Sequence, residues 1–145
     1  MLITENPNPG FDSWIFYFSS KNFGKSPAEI ISKDIRHLIL PVGQIPPDIP
    51  SYVAAPVPVL PHRLWVPPDQ PFYIDQFNSY AEFAKNDSLF DSIKDGEQML
   101  WLYGVVRYRD IVSPFEHETR FCYMRETGKD IGFYMAGPAG YNQCT

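Results

Sequence analysis

Apolar and polar residues alternate along most of this chain, and the repeat is two residues far more often than 3.6. Residues 14–20, WIFYFSS, are dense in aromatic and β-branched side chains and predict a buried strand. NFGKSP at 22–27 is turn chemistry: Gly24 accepts a positive φ, and Pro27 holds Ser26 extended. Residues 28–40 set Ile30, Ser32, Asp34, Arg36 and Leu38 on one parity and Ile31, Ile35 and Ile39 on the other, which reads as strand rather than helix. Residues 99–109 return to strand, and 118–125 pair with them across 110–117 as a hairpin. A last strand around 131–135 closes a sheet, whereas 1–10 are polar and without an apolar run.

One segment carries the helical repeat. Ser79 with Glu82 fits a capping box, and Tyr80, Phe83, Ala84, Phe90 and Ile93 recur at helical spacing. Asn86-Asp87-Ser88 interrupts the run, Asp87 or Ser88 recaps it, and Gly96 is a good stop. No second helical segment alternates with strands, as a parallel α/β fold requires. The pattern predicts a mainly β protein, an antiparallel immunoglobulin-like β-sandwich with one short helical segment at about 79–95, as a single domain over 1–145.

Composition refines this picture. Ten of the fifteen prolines fall between 41 and 71. Proline removes a backbone donor, so 41–71 is expected to be an extended crossover along a sheet edge, with short edge strands in 60–67 and 71–77. The net charge of −5 and scattered basic residues argue against nucleic acid or an anionic membrane as a general partner. Residues 1–10 lack the apolar core of a signal peptide, and no stretch reaches the roughly 20 apolar residues of a membrane helix. Cys122 and Cys144 could bridge in an oxidising compartment. Two reduced thiols are the preferred reading, because Cys122 sits inside an apolar strand pattern.

The richest cluster of ionisable groups is the hairpin: Asp110, Glu116, His117, Glu118, Arg120 and Cys122. A metal site there would have a single histidine, and on a strand His117 and Glu118 point to opposite faces. His117 and Cys122, five residues apart, also face opposite ways at roughly 16 Å, which separates a thiol from its base. A hydrolase or metal enzyme around His117 is therefore the weakest functional reading. The preferred one makes Asp110 a turn cap and has Glu118 or Arg120 pair across the strands. No Gly-x-Ser-x-Gly elbow or Gly-rich phosphate loop is present, and GPAGYN at 137–142 reads as a turn. The sequence thus assigns no catalytic residue, no metal ligand and no cofactor.

Two partner signals stand out. Pro58, Pro61 and Arg63 have the Pro-x-x-Pro-x-Arg spacing that docks on aromatic grooves, although a Pro-rich edge that blunts a sheet explains the same residues. Trp65, Phe72, Tyr73 and Phe77 form an aromatic edge over 65–77 that could take a sugar or a peptide, with Trp65 and Tyr73 as its contacts.

NFGKSPAEI at 22–30 and LYGVVRYRDIVSPFEHETRFCY at 102–123 resemble a group of uncharacterised bacterial membrane-anchored proteins with a soluble β-rich domain. The matching positions are Asn22, Gly24, Ser26, Pro27 and Ala28, then Gly104, Tyr108, Asp110, His117, Thr119, Phe121 and Cys122. The resemblance implies a membrane-associated setting with the tether outside this stretch of chain. It brings no activity with it. The resulting expectation is a non-enzymatic interaction or scaffold domain with a protein partner; the alternative is a ligand-binding module on the aromatic edge.

Overall fold

The computed structural model describes residues 2–7, 14–53, 59–78, 87–113, 115–125 and 132–145. The two-residue repeat becomes strands β1 (Leu2–Pro7), β2 (Trp14–Lys21), β3 (Ala28–Pro41), β4 (Val59–Val66), β5 (Pro71–Asn78), β6 (Gln98–Asp110), β7 (Glu116–Arg125) and β8 (Phe133–Met135). Every strand pairing is antiparallel, and the hydrogen-bonded orders are β1-β2-β5 and β4-β3-β6-β7-β8. The protein is mainly β, with the hairpin β6–β7 where the sequence placed it.

Helix α1 spans Asp87–Lys94. The anticipated capping box at Ser79 and Glu82 lies outside the described residues. Gly96 ends the helix as expected: at φ +79 it lets the Glu97 amide reach the Ser92 carbonyl (2.9 Å) and its own amide reach that of Ile93 (3.3 Å).

Residues 2–7 form a strand against β2, for which their sequence pattern gave no signal. One expectation needs correcting. In β3, the register slips between Ile30 and Ser32. This bulge reverses the parity, so Ile30 joins Ile35 and Ile39 on one face, while Leu38 and Leu40 take the other. Simple alternation had put Ile30 with Leu38.

The five-stranded sheet therefore has two apolar faces. On the first, Ile30, Leu100, Leu102, Val106 and Phe121 cluster with Phe18 of β2 and Ile93 of α1. On the second, Trp101, Tyr103, Val105 and Cys122 cluster with Tyr52 and Tyr141. Each such side chain contributes about 1.5–3 kcal/mol on burial. Gly104, in the middle of β6, makes room for the Phe121 ring on the first face: a Cβ there would lie 2.6 Å from that ring and 2.5 Å from the Asp34 carbonyl.

The proline tract contributes to the second face. Pro46, Pro50 and Tyr52 are among the fully buried side chains, so this part of 41–71 covers a sheet face and does not merely follow an edge. Ser51 Oγ hydrogen-bonds the Tyr103 hydroxyl (2.8 Å) and accepts from Arg36 (3.0 Å), which ties the segment down. Tyr141 packs edge-on against Tyr103 at 5.1 Å. β4 is the expected edge strand.

Candidate functional site

Where β2 passes into β3, and β4 into β5, the chain crosses from one sheet to the other at a single corner. Asn22 pins it. Its side-chain amide donates to the carbonyls of Ser26 (2.9 Å) and Val66 (3.0 Å), and its Oδ1 accepts the Gly24 amide (2.9 Å). Its backbone pairs with Gln70 and Asp69 across the corner at 3.1 and 2.8 Å. The turn chemistry of 22–27 thus serves to splay the chain away from the five-stranded sheet.

The splay leaves a cavity of about 550 Å³ against the first face. Ile30, Val66, Phe72, Val106, Phe121 and Tyr123 form its apolar wall. Lys21, Phe23, Asp110, His117, Thr119 and Cys144 lie around its mouth, together with Tyr108. Tyr108 and His117 are cross-strand partners whose rings stack at 5.4 Å. Thr119 Oγ1 contacts Cys144 Sγ at 3.4 Å, beside Tyr108 in the cavity lining. Burial pushes the Tyr108 phenol up, which keeps it a neutral donor at physiological pH. The segment after Tyr141 brings Cys144 here by pairing with β7: the Arg120 amide donates to Gln143 O (2.7 Å) and the Thr145 amide to Glu118 O (2.9 Å).

The hairpin cluster divides as strand alternation requires. Asp110 and His117 line the cavity and Cys122 belongs to the second face, while Arg120 borders the cavity and also carries its guanidinium over the Tyr52 ring of the second face (5.8 Å). Asp110 Oδ1 accepts the Val112 amide (2.8 Å), the anticipated turn cap. Glu118 pairs with Arg107 across the strands (2.6 Å) and with Arg120 (2.5 Å). Burial raises the Glu118 pKa, but hydrogen bonds from Arg107 and Arg120 outweigh it, so the carboxyl lies below its usual range. Cys122 is fully buried, and desolvation pushes its thiol up to about 12, far from a nucleophile's range. Both cysteines are free thiols. Among the described residues, no three of His, Cys, Asp and Glu gather closely enough to hold a metal ion.

The partner residues expected from sequence do not converge on this cavity. Pro58 lies outside the described residues, and of Pro61 only its place in β4 is described. Arg63 is exposed and pairs with buried Glu29 (3.3 Å), which also holds Arg109 (2.7 Å). That bond from Arg109, ahead of the charge of Arg63, draws the Glu29 carboxyl below its usual range. Trp65 and Tyr73 are half-exposed, with Lys33 5.6 Å over the Tyr73 ring. Their strand neighbours Val66 and Phe72 face the cavity instead. The aromatic edge thus borders the site with the opposite parity from the one expected. The turn at 22–27 was signalled locally, but its tie to Val66 and the pairing of Cys144 with Thr119 were not, since both depend on contacts 44 and 25 residues apart.

No protein-family model, curated protein or solved structure matches this chain. Among the described residues, no helix is long and apolar enough to cross a membrane.

Proposed function

We propose that this protein is a non-enzymatic binding domain that takes an amphipathic small molecule into the corner cavity, apolar tail inward and polar head at the mouth. The observation that carries this reading is the cavity itself. Its volume of about 550 Å³ suits a small ligand, Ile30, Val66, Phe72, Val106 and Phe121 give it apolar walls, and the register places Asp110 and His117 at the β6–β7 end. The Tyr108 and Thr119 hydroxyls suit a carboxylate or hydroxyl head, with His117 and the Lys21–Asp69 pair beside them. The two sheets act as the layers of a sandwich of the immunoglobulin-like type, with Phe18 and Phe72 packed against the five-stranded sheet. The cavity is the part of that interlayer space where the corner holds the layers apart. This reading keeps the ligand-binding module expected from sequence, but exchanges its aromatic edge for the enclosed face behind it.

The test is thermal unfolding with and without a twelve-carbon carboxylate, dodecanoate. Ligand at a hundredfold excess over Kd stabilises the native state by about 2.7 kcal/mol, which raises Tm by several degrees. An unchanged Tm at every soluble concentration overturns the reading.

A second reading has its own observation. Val42, Ile45 and Ile49 are exposed on the proline-rich segment that covers the second face. They offer a surface for a protein partner, in the bacterial, membrane-linked setting that the resemblance implies. Ile45→Ser combined with Ile49→Ser should abolish co-purification of such a partner while leaving dodecanoate binding intact. Co-purification unchanged by that substitution would exclude these side chains as the contact.

A further inference from the structure

We propose that the cavity mouth docks on a zwitterionic lipid bilayer, with Phe23, Ile111, Val112 and Phe115 inserted among the acyl chains. The register brings these side chains to one end. Ala28 pairs with both Asp110 and Val66, so the corner at 22–27 and the β6–β7 tip at 111–115 leave the sheet side by side. Phe23 is 79% exposed, Val112 78%, Phe115 72% and Ile111 56%. Four large apolar side chains so exposed on loops at the same end of the sheet mark an interaction site. The patch borders the cavity, because Phe23 and Asp110 line its mouth.

Backbone chemistry selects lipid as the occupant. The Gly24, Val112 and Phe115 amides donate to the side-chain oxygens of Asn22, Asp110 and Ser113 at 2.9, 2.8 and 3.3 Å. These loop tips carry their own partners for three amides, so those donors enter an apolar medium without desolvation cost. A protein that adds a strand would need the opposite, free amides. Charge agrees. In a chain of net charge −5, the formal charges at this end cancel: Lys21, Lys25, Arg63 and Arg109 stand against Asp69, Glu29, Asp110 and Glu116, with Lys21 paired to Asp69 and both arginines to Glu29. A locally balanced surface complements a zwitterionic headgroup layer and gives attachment little dependence on salt. The inference extends the cavity reading, since a bilayer is a source of amphipathic molecules, but attachment and uptake are separate events.

Co-sedimentation with phosphatidylcholine vesicles at low and high salt tests it. The wild-type protein should sediment with the vesicles to the same extent at both. The triple variant Phe23→Ser/Val112→Ser/Phe115→Ser should lose at least about tenfold in partitioning, from three lost apolar burials. Should the triple variant not fold, Phe23→Ser and Val112→Ser singly should each lose a few fold. Ala28→Leu, inside the cavity, should lose dodecanoate binding and keep vesicle binding, which separates failure of the pocket from failure of the docking surface. Wild-type protein that stays in the supernatant overturns the proposal. So do substitutions that leave partitioning unchanged, or that dissolve a dimer of this chain instead.

Discussion

The two faces of the five-stranded sheet are made by the same strands and the same alternation, yet they end differently. The second face is filled: Tyr52 and Tyr141 pack tilted and edge-on against Tyr103, Pro46 and Pro50 of the proline-rich segment are buried with them, and ion pairs rim it. Among the described residues, Phe18 and Ile93 of α1 cover the first face with Leu100 and Leu102. Towards Val106 and Tyr108 the chain at Asn22 turns outward, and a hollow remains. The difference lies in the covering elements and not in the sheet. A buried face closes when its cover carries side chains long enough to fill it, and stays hollow where a hydrogen-bonded corner holds the cover off.

The largest expected effect comes from breaking the filled face. Tyr141→Ala removes a buried ring from against Tyr103 and should cost about 3–5 kcal/mol, measured by urea unfolding. If the second face is as loosely filled as the first, the loss will be under half of that. Next is the corner. Asn22→Ala removes three side-chain hydrogen bonds and should cost about 2–4 kcal/mol. It should also weaken dodecanoate binding, because the hollow depends on the corner; a loss of stability with binding intact would make Asn22 purely structural.

A smaller effect concerns charge on the second face. Glu118 has its pKa lowered in the folded protein by Arg107 and Arg120. A carboxyl with a lowered folded pKa contributes stability that is present above its unfolded value of about 4.3 and is lost as pH falls through the folded value. Glu118→Gln should therefore cost about 1–2 kcal/mol at neutral pH. Its deficit should shrink on acidification below about pH 4, read from urea midpoints across pH. A deficit independent of pH would rule out ionisation as its source. Smallest is Tyr52→Phe. The buried Tyr52 hydroxyl has no hydrogen-bond partner among the described residues, so its removal should be neutral or stabilise by up to about 1 kcal/mol.

Much of this architecture was legible in the sequence. The period of two at 14–20, 28–40 and 99–125 gave β2, β3 and the β6–β7 hairpin, and Gly96 marked the end of α1 correctly. The opposed directions of His117 and Cys122 followed from strand geometry alone. What escaped depends on distance. The bulge after Ile30 reverses the parity of β3, and nothing in ILE-rich alternation reveals a slip imposed by a partner strand. Asn22 read as a turn residue, but its bond to Val66 spans 44 residues. The hollow lies beside that bond: Phe72, named in the expected aromatic edge, and Val66, which was not, line it, whereas Trp65 and Tyr73 do not. Cys144 reaches Thr119 only through pairing of the tail with β7.

Side-chain methyl NMR during a dodecanoate titration contrasts the two faces in one experiment. The methyl signals of Ile30, Val66 and Val106, which line the hollow, should shift together and saturate at one ligand per chain, while those of Leu38, Leu40 and Val105 on the filled face stay in place. Signals on both faces moving alike, or none moving at saturating ligand, would contradict the claim that the corner cavity is a binding site.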